Sequence, residues 1–292
     1  MAVIRLLLIF LVVPTSLAFG QRPDSTHLNK QRLAGLIIGS TAAYSIALIG
    51  LNELWYKDNP KQSFHTFNDN AEWKQVDKVG HFYSAFYLSY GWASALRWAQ
   101  VKPAKADLVG SLVGLGMMIP IEILDGYSSA YGMSSGDLLA NAGGAAFYLG
   151  QTLLWKELRI YPKYSFHQTH YAPKRPNVLG HVLTSEMFKD YNGQTYWLSF
   201  DMDKFVRFPK WLNLAVGYGA EGMVYARDSQ NVAAGYPTPY RQYYLSIDFD
   251  LRAIKSRSKF VNTVIALASM IKLPAPTLDF SEKGVKFHPF YF

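Results

Sequence analysis

Beyond residue 21, four stretches of this chain carry no charged residue over fourteen positions or more: 33–51, 82–96, 108–121 and 138–154. Such runs outlast an ordinary strand of roughly five to six residues. They therefore read as helices that bury apolar surface against one another or against lipid. The first, Leu33–Leu51, reaches the lower limit of a membrane span, and Gly35, Gly39, Ala42, Ala43 and Gly50 suit close helix contact. A buried helix of a soluble bundle would carry the same pattern. The other three runs are short for full spans and fit helices that tilt little or lie partly in protein.

Ahead of these runs, Met1–Gly20 has one basic residue, Arg5, an apolar core from Leu6 to Val13, a helix-breaking Pro14, and small Ala18 and Gly20 before Gln21. It reads as a secretory signal cleaved before Gln21, since the apolar core is too short for an anchor. The sequence has no cysteine, which excludes disulfides, thiol chemistry and a lipid-modified N-terminal Cys. The expectation is an exported protein that is not itself a lipoprotein.

Polar residues gather at the ends of the apolar runs in three signatures: Asp77-Lys78-Val79-Gly80-His81, Glu122-Ile123-Leu124-Asp125-Gly126 and Ser134-Ser135-Gly136-Asp137-Leu138-Leu139-Ala140-Asn141. Residues three or four apart share a helix face, so Asp77 with His81, Glu122 with Asp125, and Asp137 with Asn141 form matched pairs. In an up-down-up bundle the three ends lie on one side and can converge on one pocket. The six residues are the catalytic candidates, with His81 as proton shuttle and a carboxylate holding its second nitrogen. A divalent metal on His81 and carboxylates is chemically reasonable, but no spacing is a zinc signature, and neither metal nor cofactor is assigned. The competing account is that these groups cap and tie helices, because polar groups near apolar segments must be paired. His65, Asn68, Asp69 and Trp73 in the preceding loop, with Lys78 and Ser135, are candidates for substrate contact.

The net charge of +8 is scattered without a basic run, so nucleic acid is not expected and anionic lipid or lipopolysaccharide is the more economical partner. The aromatic share of 15% also suits a membrane interface. Four inner-membrane spans would put Arg97, Lys102, Lys105, Lys156, Arg159 and Lys163 on the periplasmic side, against the positive-inside rule. The outer membrane or periplasm is therefore favoured.

After Pro162 the period changes. Alternation over 196–202, 212–226 and 240–251, with a closing segment 285–292, reads as strands, and 259–272 as an amphipathic helix. The fold class is α+β: a membrane-associated four-helix bundle followed by a strand-rich C-terminal region. The domain reading is a signal peptide over 1–20, a helical domain over 21–164 and a β-rich region over 165–292.

The set Asp77-Lys78-x-x-His81, Glu122-x-x-Asp125-Gly126 and Ser135-x-Asp137-x-x-x-Asn141 resembles the uncharacterised YfiM-like family of predicted periplasmic lipoproteins. It is more loosely similar to the VanZ-like membrane proteins. The likeness covers about residues 50–155. The chain departs from the short lipoprotein form by lacking the lipidated Cys, and residues 165–292 resemble the longer form of Bacteroidetes-type envelopes. VanZ-like proteins are linked to glycopeptide resistance without a settled mechanism, so the resemblance implies an envelope role and supplies no reaction. Two functions follow as expectations. One is an enzyme acting on, or a protein binding, an envelope lipid or lipid-linked glycan. The other is a non-catalytic outer-membrane scaffold or partner protein whose polar cluster is structural.

Overall fold

The apolar runs are helices in the computed structural model, which describes residues 28–292 apart from Asp58. The signal sequence read in Met1–Gly20 lies outside the described residues. Helices α1 (Lys30–Leu51), α2 (Val76–Trp98), α3 (Pro103–Gly126) and α4 (Ser135–Trp155) begin and end where local chemistry dictates. The Asn29 side chain accepts from the Arg32 amide at 2.9 Å, Pro103 opens the first turn of α3, and Ser134 caps α4. Pro120 lies within α3, which continues past it to Gly126.

Contacts divide the chain into two units, one holding residues up to Asp69, Ser84–Glu157 and Ser256–Val264, the other Asn70–Tyr83, Leu158–Lys255 and Ile265–Phe292. In the helical unit, α2 and α3 touch through glycine. A Cβ added at Gly110 would stand 2.5 Å from the Ala93 amide nitrogen, and one at Gly114 2.5 Å from that of Ser89. The backbones therefore approach as closely as small-residue seams allow. Leu36 of α1 packs with Ala95, Leu96 and Ala106, and Tyr44 donates to the Met117 carbonyl at 2.5 Å. Arg97 of α2, Asp107 of α3 and Tyr148 of α4 form a polar triad, with Arg97 paired to Asp107 and Tyr148 donating to Asp107 at 2.6 Å. Helices α1 and α3 are long and apolar enough to cross a membrane by length and composition.

The second unit is built on one antiparallel sheet of six strands in simple order: β1 (Ile160–Phe166), β2 (Gln194–Phe200), β3 (Leu212–Glu221), β4 (Tyr240–Phe249), β5 (Ala275–Ser281) and β6 (Gly284–Tyr291). Short helices α5 (Pro176–Leu179), α6 (Leu183–Lys189) and α7 (Asp228–Ala233) lie in its connections, and α8 (Lys259–Ala268) precedes β5. The alternation read from sequence marks β2, β3, β4 and β6 but not β1 or β5. Those two carry Pro162 and Lys163, and Pro276 and Asp279, which break an apolar-inward pattern.

The sheet has an inverted polarity. Its covered face bears Lys163, Ser199, Asn213 and Asp248, all wholly buried, with Trp197 and Tyr244 between them. Lys163 Nζ lies 2.6 Å from Asp248 Oδ2, Ser199 donates to that oxygen at 2.6 Å, and Asn213 donates to Ser199 at 3.1 Å. Lys272 sits over the Trp197 ring at 4.5 Å, and burial pulls its amine down to about 8. The opposite face is apolar and ordered in rows by the strand register. One row runs Tyr164, Tyr196, Tyr218, Tyr243, Phe280; the next runs Pro162, Leu198, Val216, Leu245, Leu278, Phe287; the third runs Ile160, Phe200, Leu214, Ile247.

Two outcomes follow. Gly114→Ala drives a methyl into the Ser89 backbone and should cost about 1–3 kcal/mol, whereas Gly116→Ala, with nothing within 4 Å of the added Cβ, should gain up to about 1 kcal/mol from helix propensity; thermal melts of the two variants check this. Burial, with a hydrogen bond from the protonated Asp201 carboxyl to Asp203 and the charge of Asp250 adding, pushes the Asp201 carboxyl up to about 7 from 3.8. Its ionised form is disfavoured in the folded chain, so this group's contribution to stability falls as pH rises from about 4 through about 7. Asp201→Asn should therefore raise the melting temperature at pH values above that window and leave it unchanged below it.

Candidate functional site

Asp77 and His81 stand one turn apart at the start of α2, on the part of the helix that belongs to the sheet unit. His81 Nε2 lies 4.0 Å from Asp77 Oδ1, an ion-pair distance longer than a direct hydrogen bond. Both side chains are partly accessible. Asp77 is held in place by Tyr191, whose hydroxyl donates to the same oxygen at 2.7 Å. Gly80 lets the Tyr196 hydroxyl approach the helix, since a Cβ there would meet it at 2.8 Å.

The chain enters this helix through an unusual turn. Trp73, Lys74 and Gln75 have φ of 47°, 50° and 63°, three consecutive non-glycine residues in the left-handed region. Each such residue costs roughly 1–2 kcal/mol, so the turn persists only because its surroundings hold it. The Trp73 amide donates to the Ala226 carbonyl at 2.8 Å, and its ring packs on Tyr191. Lys74 pairs with Asp228 at 2.6 Å and its carbonyl accepts from Tyr218. Gln75 accepts from Arg241 at 2.6 Å, and Glu72 pairs with Arg227 at 3.0 Å. Val76 is fully buried against Ala220 and Met223. The strained turn thus fixes the direction in which the first turns of α2, with Asp77 and His81, run within the sheet unit. Lys78, the neighbouring candidate, is partly exposed.

The remaining candidates belong to the helical unit. Glu122 and Asn141 are wholly buried and meet across α3 and α4, Asn141 Nδ2 donating to Glu122 Oε1 at 3.2 Å. Asp125, the other half of the Glu122 pair, accepts instead from Tyr56 at 2.7 Å. Asp137 is buried in the first turn of α4, where its amide donates to the Ser134 cap at 3.2 Å. Ser134 in turn donates to Asp69 at 2.5 Å, so the preceding loop is tied to that cap. His65 is engaged on both ring nitrogens, Nδ1 at 3.0 Å from the Gly126 carbonyl and Nε2 at 2.8 Å from that of Tyr131. Main-chain hydrogen bonds from His65 and Phe67 zip the same loop onto the α3–α4 connection. Asn68 and Ser135 are exposed.

Sequence reasoning missed Tyr191, Arg227, Asp228 and Arg241, which orient the start of α2. They lie more than a hundred residues away, and nothing local to them marks the role.

Residues 65–152 match the model of a family described as "Predicted periplasmic lipoprotein (DUF2279)". The match covers the loop and helices that carry all six acid–base candidates, and its description agrees with an exported, cell-envelope protein. The sequence has no cysteine for the thioether-linked lipid that the description implies. No curated protein and no solved structure matches the chain.

Asn141→Ala removes a partner of a buried carboxyl and should destabilise the fold by roughly 1–3 kcal/mol. Glu122→Gln keeps the shape and the acceptor and should cost less. Urea unfolding of both variants separates this tie from a role in chemistry.

Proposed function

We propose that the protein binds or acts on an envelope lipid or lipid-linked glycan, with Asp77 and His81 as the acid–base pair. The observation that carries this reading is the left-handed turn at Trp73, Lys74 and Gln75 directly before the pair. Strain held by several long-range contacts is characteristic of functional sites. Capping α2 would require no such turn. Tyr191 donates to the Asp77 oxygen that faces His81, which holds the carboxylate toward the imidazole, where it can stabilise the protonated form. His81 then moves the proton at the reacting bond.

In this reading α1–α4 form a membrane-associated four-helix bundle, at the outer membrane, of the YfiM-like type with distant VanZ-like character. Lys78 and Trp73 stand beside the pair as contacts for an anionic or sugar-bearing head group. His65, Asn68, Asp69, Ser135, Glu122, Asp125, Asp137 and Asn141 belong to the helical unit, and the acid–base role is assigned to Asp77 and His81.

A second reading has a specific observation behind it. Glu122 with Asn141, Asp125 with Tyr56, and Asp137 with its Ser134 cap each have a structural partner. On that basis the protein is a non-catalytic outer-membrane scaffold or partner of another envelope protein. The two readings separate in a deletion strain complemented with Asp77→Asn or His81→Gln. Under the first, both variants accumulate normally while lipid or muropeptide profiles stay at the deletion phenotype, with turnover down on the order of a hundredfold or more. Normal profiles from both variants would leave the scaffold reading standing.

A further inference from the structure

The sheet unit turns its charges inward and its hydrocarbon outward. Lys163 and Asp248 are fully buried on one face, while Leu245 is 45% and Phe287 63% exposed on the other. Water as the outer solvent would favour the reverse, because burying a charge costs far more than burying an apolar side chain gains. The outward face therefore has an apolar neighbour. We infer that this face, over β3 to β6, seats in the acyl region of a lipid bilayer.

Three features select lipid over a protein partner. First, the face is banded. Over β3 to β6 the aliphatic row lies between Tyr218, Tyr243 and Phe280 on one side and, on the other, Leu214 and then Phe249, on which Trp211 stacks. Amphipathic rings at both margins of an aliphatic band occupy the head-group level of a membrane. Second, the band has the right height. Four rows at two-residue steps span about 20 Å along the strands, close to the apolar band of roughly 25 Å found on membrane-facing sheets. Third, the charge just beyond the tyrosine-rich margin suits anionic head groups. Arg241 continues β4 past Tyr243, and Lys283 lies in the β5–β6 hairpin over the Tyr240 ring, with Glu282 as the adjoining acid. Among the described residues no strand pairs with the outer edge of β6. A bilayer interior does not tolerate a free edge, so β6 lies at the margin of the contact rather than its centre.

This inference concerns the sheet unit and holds whether or not Asp77 and His81 do chemistry. Because the sequence has no cysteine, single cysteines can be placed without background. Val285→Cys, Lys286→Cys and Phe287→Cys, made in the whole mature chain, point alternately outward, inward and outward on β6. Each is labelled with a polarity-sensitive fluorophore and mixed with phosphatidylethanolamine–phosphatidylglycerol vesicles whose acyl chains carry bromine; Leu245→Cys repeats the outward measurement one strand further in. The expected result is loss of fluorescence at 245, 285 and 287, none at 286, and protection of the same outward positions from aqueous iodide. Equal iodide access at all positions without bromine quenching would overturn the inference. So would protection of 285 and 287 in the absence of lipid together with cross-linking between copies, which would assign the face to a second copy of the chain. Uniform quenching at 285, 286 and 287 would overturn it as well, by showing adsorption without orientation.

Discussion

The ion pair between Lys163 and Asp248 sets the orientation of the whole sheet. Strand side chains alternate with a period of two, so once these charges point to the covered face, every residue of odd offset must point away. The aliphatic and tyrosine rows are the unavoidable complement of that choice. The pair is held by Ser199 and Asn213 on adjacent strands. A one-residue slip of β1 would put Pro162 or Tyr164 in place of Lys163, and a slip of β4 would put Ile247 or Phe249 in place of Asp248, breaking the buried pair. Register is therefore specified by polar groups, where most sheets specify it by apolar ones.

The same unit holds the start of α2. Its contacts to the strained turn come from β3, β4 and the loop that follows Met223, and they impose three left-handed residues that no local preference supplies. The benefit of that cost is directional. Asp77 and His81 are held in a fixed orientation within the sheet unit, with Tyr191 already bonded to the carboxylate. In the helical unit the logic is the ordinary one of apolar helices. Glycine brings α2 and α3 together, and the polar side chains that remain, Glu122, Asn141, Arg97, Asp107 and Tyr148, find one another because a low-dielectric interior leaves them no solvent.

The sequence by itself determined the four long helices, since charge-free runs of that length, cut by Pro103, Gly126 and Ser134, have no other low-energy local structure. It also determined the strand-rich half, where alternation is audible in β2, β3 and β4. It marked Asp77 and His81 through their one-turn spacing, which a helix must place on one face. Only the tertiary structure decided that Glu122 meets Asn141 rather than Asp125, because a contact between helices depends on their packing and not on spacing along one of them. Only it supplied β1 and β5, whose inward lysine and aspartate are intelligible once the face they join is seen to be polar. And only it produced the left-handed turn before Asp77, because backbone strain is maintained by partners a hundred or more residues distant, and no stretch of sequence carries the energy of contacts it has not yet made.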